Sequence, residues 1–164
     1  MSLTPLLSAS VAIQIHVLAA LLAILLLPLT LFRRRRDRVH KVAGYVWVTA
    51  MLTTAISSFW INGIRLIGPF SPIHLLSVLT LYNVIWAVVE LRRGNRRAHE
   101  GILRATAYWS LGLAGLFTLI PGRMMAEALF GEAQVTGFLS VLTLVGLVAF
   151  RARVQRDLRG RRET

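Results

Sequence analysis

Long apolar runs alternate with short arginine-rich stretches along this chain. Each run is close to the ~20 residues that a helix needs to cross hydrocarbon. Five spans are predicted, at roughly 7–32, 39–62, 72–91, 100–120 and 134–150. The first ends at "RRRRDR" (33–38), and the last is followed by a basic tail, 151–164. The predicted fold class is therefore all-α: an integral membrane bundle of five transmembrane helices. The segment "MMAEALFGEA" (124–133) reads as a short helix lying in the membrane interface. The first run is too long for a signal-peptide core, and its arginines follow it, so it is expected to be retained.

Composition agrees with this pattern. Hydrophobic residues make up 55% of the 164 positions, and the mean hydropathy is +0.63. Cysteine is absent, which excludes disulfides, thiolate metal sites and iron–sulfur clusters. The net charge of +12 would suggest nucleic acid in a soluble protein. Here the charge flanks apolar runs, so nucleic acid is not expected and membrane orientation explains it. Six Lys or Arg lie in 33–41, five in 92–104 and six in 151–164. In a five-span arrangement all of these fall on one side, and only Arg65 and Arg123 fall on the other. The positive-inside rule then places the tail in the cytoplasm and the N-terminus outside.

The pattern also repeats. "IHVLAALL" (15–22) matches "IHLLSVLT" (73–80), and "RRRRDRVH" (33–40) matches "RRGNRRAH" (92–99). "FWINGIR" (59–65) matches "FTLIPGR" (117–123), each running from Phe to Arg. The offset is 58 or 59 residues throughout. Two copies of a helix hairpin, 7–65 and 66–123, follow from this register. Parallel repeats of this kind are related by an axis along the membrane normal. The extra helix, 134–150, has no counterpart, so 1–150 reads as one transmembrane domain.

All four histidines lie on the repeated framework. His16 is about 24 Å along its helix from Phe32, and His74 about 26 Å from Leu91, so both sit at one height. His40 and His99 both sit near the arginine-rich start of their helices. The axis sets His16 opposite His74, and His40 opposite His99. His16 shares a helix stripe with Ala12, Ala19 and Ala23, and His40 shares one with Ala43, Thr54, Ala55 and Ser58. Small residues leave space, and polar groups in a membrane bundle usually face inward. Two facing imidazoles at each of two levels suit b-type haem with two histidine ligands. Arg65 and Arg123 are candidate anchors for the outer haem propionates, and loop arginines such as Arg38 and Arg97 for the inner ones.

Other readings compete with this one. His40 and His99 can cap helices or sit among headgroups, and His16 and His74 can act as interhelical glue worth about 1 kcal/mol. Arg65 and Arg123 can reach headgroup phosphates. Two histidines per level fall short of a closed zinc site. Glu90 and Glu100 border arginines and read as interfacial ion pairs. Gly112 and Gly115 lie inside a span and read as packing residues.

The strings "HKVAGYVWV" (40–48), "SSFWI" (57–61), "GPFSPIHLLSVLTL" (68–81), "RRGNRRAH" (92–99) and "GLFTLIPGR" (115–123) resemble one bacterial family. It is a family of predicted multi-pass membrane proteins classed as a domain of unknown function. The resemblance runs from the first span to Arg123 and implies an integral membrane protein without an established activity. More loosely, the two-level histidine pattern is similar to the transmembrane dihaem cytochromes of the b-561 kind. Three functions stay open at this point: a haem electron carrier that exchanges electrons with a quinone, a non-catalytic accessory subunit of a larger membrane complex, and a lipid- or quinone-binding membrane protein.

Overall fold

The computed structural model describes residues 4–33, 35–61 and 72–160. The described residues are overwhelmingly helical and include no strand. They fall into two compact units, Leu6–Phe117 and a second one formed chiefly by the chain from Thr118 onward.

The first unit holds two consecutive helix hairpins. Helix α1 is Val11–Leu27, apolar on all sides as a lipid-facing helix should be. Pro28 does not end it. Proline has no N–H and crowds the preceding turn, and the helix widens into a π segment, Pro28–Phe32. The Thr30 hydroxyl donates to the Leu26 carbonyl at 3.0 Å, satisfying an acceptor near that irregularity. Helix α2, Arg38–Ser57, opens on Asp37, whose carboxylate accepts the His40 N–H at 3.1 Å. It tightens into a 3₁₀ turn at Ser58–Trp60.

Helix α3 is Pro72–Arg92, with proline in the first turn, where its missing N–H costs nothing. It stops at Gly94, which takes φ +83°. The Asn95 and Gly94 N–H groups donate back to the Glu90 and Leu91 carbonyls at 2.9 and 3.1 Å, closing a Schellman turn. Asn95 then caps helix α4, Arg96–Thr106, by accepting the Ala98 N–H at 3.2 Å. Helix α4 continues through a π segment, Ala107–Leu113, and a further turn, Ala114–Thr118.

Packing follows a circuit. Helix α1 packs on α2, α2 on α3 and α3 on α4, while α4 returns to the Pro28–Phe32 end of α1. All four helices feed one core, which includes Ala23, Leu31, Trp47, Ala50, Met51, Val84, Ala87, Leu103, Ala107 and Leu111. That order sets α1 opposite α3, and α2 opposite α4.

In the second unit, helix α5 (Met124–Phe130) is followed by a 3₁₀ turn, Gly131–Ala133, and by helix α6 (Gln134–Gly160). Gly131 takes φ +56°, so the chain turns there. The Phe130 ring lies against Gly137, where a Cβ would have no room.

Among the described residues, four runs are long and apolar enough to cross a membrane: Val11–Leu31, Arg38–Trp60, His74–Arg92 and Met124–Val148. They correspond to the first, second, third and fifth predicted spans. The predicted fourth, 100–120, is helical but is not among the four. Arg104, Thr106, Tyr108, Trp109 and Ser110 dilute its apolar character. The fifth differs at both ends. The apolar run begins at Met124, and α6 carries on through the first part of the basic tail to Gly160.

Candidate functional site

The buried face of α3 carries most of its polar chemistry. His74, Ser77, Thr80, Val84, Ala87 and Glu90 are all buried, at spacings of three or four residues. Ser77 meets Ser58 of the α2 terminus, oxygen to oxygen at 2.6 Å. Thr80 meets Ser110 of the α4 π segment, also at 2.6 Å. Hydroxyl pairs therefore join α3 to both of its neighbours.

His16 and His74 come to the same end of α2. The His16 Nδ1 lies 3.2 Å from the Ser57 Oγ. The Ser57 hydroxyl donates its own proton to the Thr53 carbonyl at 2.7 Å, with the Thr54 carbonyl at 3.1 Å. With that proton on Thr53, the Ser57 oxygen can accept from His16, which puts the proton on Nδ1 and leaves the lone pair of a neutral ring on Nε2. His74 stacks on Phe59, two residues beyond Ser57, with ring centroids 5.6 Å apart and planes within 15°.

His40 and His99 occupy the arginine-rich end. The His99 Nδ1 lies 2.8 Å from the Ala87 carbonyl oxygen. A carbonyl only accepts, so here too the Nε2 lone pair is left over. His40 is held through its backbone by Asp37, which also binds the Arg33 guanidinium. The Arg33 hydrogen bonds, and then the His40 N–H, hold the Asp37 carboxyl down at about 2. The His40 ring Nδ1 stands 3.5 Å from the Arg36 guanidinium, a weak contact. Arg36 also pairs with Glu100, the neighbour of His99, and so ties the turn after α1 to the first turn of α4.

Glu90 is buried and held by Asn95 at 2.8 Å and Arg93 at 3.1 Å. Glu90 and Glu100 are thus the ion pairs that their arginine neighbours foretold. Arg38 and Arg97 are exposed on that end. Arg65 lies outside the described residues. Arg123 belongs to the second unit, where it precedes α5 and its carbonyl accepts the Glu127 N–H at 3.0 Å.

Among the described residues no three His, Cys, Asp or Glu come together as a metal-binding cluster. A haem iron asks the protein for only two axial ligands, so the histidines matter as pairs. One buried donor stands out between the two levels: the Trp47 Nε1 has no hydrogen-bond partner. Trp47 lies two turns from His40 on the same face of α2, beside Met51, and both side chains are almost wholly buried. Between α1 and α2 runs an open groove of about 420 Å³, lined by Ala12, Ile15, Thr53, Ile56, Ser57 and Trp60. Ser57 thus both borders the groove and holds His16.

Sequence reasoning missed the Ser57–Ser58–Ser77–Thr80–Ser110 hydroxyls. Their signal was present, since Ser77 and Thr80 share a helical stripe with His74. It missed Arg36 because four consecutive arginines give no hint of which one reaches Glu100.

No curated protein and no solved structure matches the chain. A family described as "Predicted membrane protein (DUF2306)" matches residues 13–155. With its membrane-length helices and this match over most of its length, the chain belongs to that family of predicted membrane proteins.

Proposed function

We propose that this integral membrane protein is a b-type haem electron carrier, in which His16 and His74 would hold one haem and His40 and His99 the other. The observation that carries the reading is the packing circuit. It sets α1 opposite α3 and α2 opposite α4, so the partners in each pair ride on opposed helices. Two further features support it. His99 directs its Nδ1 toward the Ala87 carbonyl, and His16 can direct its own to Ser57, the arrangement that a ligating histidine adopts. Trp47 offers a buried N–H that lacks an acceptor. Haem iron, when bound, supplies one-electron transfer.

The residues of the chain then hold and insulate. Ser57 and the Ala87 carbonyl fix imidazole tautomers. Trp47 and Met51 keep the two levels apart. Arg65, Arg123 and loop arginines such as Arg38 and Arg97 are the cations proposed for the propionates. A membrane quinone is the proposed redox partner, and the groove beside Ser57 gives it an approach. The arginine distribution favours an inner-membrane protein with its N-terminus outside and its C-terminus in the cytoplasm.

The test is a reduced-minus-oxidised visible spectrum of the protein purified in detergent from haem-supplied cells. Soret and α bands are expected, and both His16→Ala and His74→Ala should lose the outer component. A colourless protein ends the reading. The hydrogen bonds within the bundle favour a second one, a non-catalytic subunit of a larger membrane complex in which the histidines are glue. It predicts that His16→Ala only lowers the melting temperature, and that the parent protein co-purifies with a partner.

A further inference from the structure

The two arginine-rich turns are far apart in sequence, yet the Arg36–Glu100 ion pair joins them into one surface. Each described acid on this surface is already engaged. Asp37 holds Arg33 and the His40 N–H, Glu90 holds Arg93 and Asn95, and Glu100 holds Arg36. Arg35, Arg38, Lys41, Arg92, Arg96 and Arg97 stay exposed around them, in no ion pair among the described residues.

Aromatic side chains mark the depth of this surface. Arg93 lies over the Trp86 ring at 5.2 Å. Tyr45, two turns into α2, is exposed on the neighbouring helix. Tryptophan and tyrosine gather at headgroup level, and arginine folds its stem back toward that level. Cations beside such a belt meet lipid phosphates.

We propose that the joined turns form a binding surface for anionic phospholipid headgroups, assembled by the Arg36–Glu100 pair. Planar guanidinium groups suit phosphate oxygens through paired hydrogen bonds. The ion pair fixes how far apart the two sets of cations stand. Charge alone and a built surface make opposite forecasts for Glu100→Gln. That change removes a negative charge and frees Arg36, so plain attraction would strengthen. A surface whose halves come loose should bind more weakly.

The experiment uses the purified full-length protein in mixed micelles, with native mass spectrometry reading retained lipid. The parent should keep phosphatidylglycerol and release phosphatidylcholine. Glu100→Gln should weaken phosphatidylglycerol retention several-fold despite its extra charge. Arg35→Gln and Arg92→Gln touch no bundle contact, and each should weaken it about fivefold. Millimolar inorganic phosphate should not displace the lipid. Equal retention of the two lipids overturns the proposal, and so does unchanged or tighter binding in Glu100→Gln. Displacement by free phosphate overturns it too, because the site would then recognise the anion and not the lipid surface. Circular dichroism of each variant shows whether its helices are intact. Should Glu100→Gln lose helix, the two arginine variants decide alone, and wild-type retention in both overturns the proposal.

Discussion

At the scale of single residues, Trp47 and Asp37 represent opposite situations. Trp47 is buried with an unmatched N–H, which costs ~1–3 kcal/mol. Trp47→Phe removes that donor and some packing together. The two effects offset, so in haem-free protein the variant should melt within about 1 kcal/mol of the parent. Met51→Ala in the same core should cost ~2–5 kcal/mol. Denaturation in detergent checks both, and a large loss from Trp47→Phe would mean that the N–H has found an acceptor. Asp37 is half-buried and well paired. Its carboxyl titrates at about 2, below the ordinary carboxylate value, because Arg33 and the His40 N–H favour the anion. The stability it adds is complete above the ordinary value and fades as the pH falls through about 2. Water screens the pair, so the effect is small. Subtracting the acid melting curve of Asp37→Asn from that of the parent should leave a gap that closes toward pH 2.

At the scale of elements, the sequence disclosed helices better than their irregularities. Apolar runs marked α1, α2 and α3 because lipid-facing helices need little else. The histidine heights were legible for the same reason, since a fixed rise per residue converts position into depth. The first span read as one unbroken run, and the chain takes Pro28 into it as a π turn with Thr30 donating to Leu26. Polarity made α4 look like a weaker span than its role in the packing implies. Leu103, Thr106, Ala107 and Leu111 are buried there, and Ser110 is paired with Thr80. Partners for polar groups depend on tertiary packing, which periodicity along one helix does not report. The Gly131 turn was equally hidden, because "MMAEALFGEA" contains a single glycine and the decisive contact, Phe130 on Gly137, lies across the turn. Gly137→Val should therefore strain the α5–α6 turn by ~1–3 kcal/mol. Phe130→Ala in the same chain should restore much of that loss. A double-mutant cycle read by thermal melting measures the coupling, and additive losses would refute the contact.

At the scale of the whole molecule, sidedness depends on α4. Four runs meet the length and apolarity needed to cross, and an even number of crossings would bring both ends of the chain to one side. The arginine distribution argues for an odd number. The groups 33–41, 92–104 and 151–164 share a side only if the stretch from Arg96 to Thr118 also crosses. Packing makes that crossing affordable. The helix contributes Leu103, Ala107 and Leu111 to a core built by α1, α2 and α3, and a helix sheltered by protein needs less apolar surface than one facing lipid. The absence of native cysteine makes the question easy to put to the molecule. Single cysteines at Asn95, Glu132 and Gly160 can be labelled in spheroplasts with an impermeant maleimide. Glu132→Cys should react from outside, while Asn95→Cys and Gly160→Cys should react only after the membrane is opened. If Glu132→Cys and Asn95→Cys label from the same side, α4 does not cross, and His99 cannot lie across the bundle from His40.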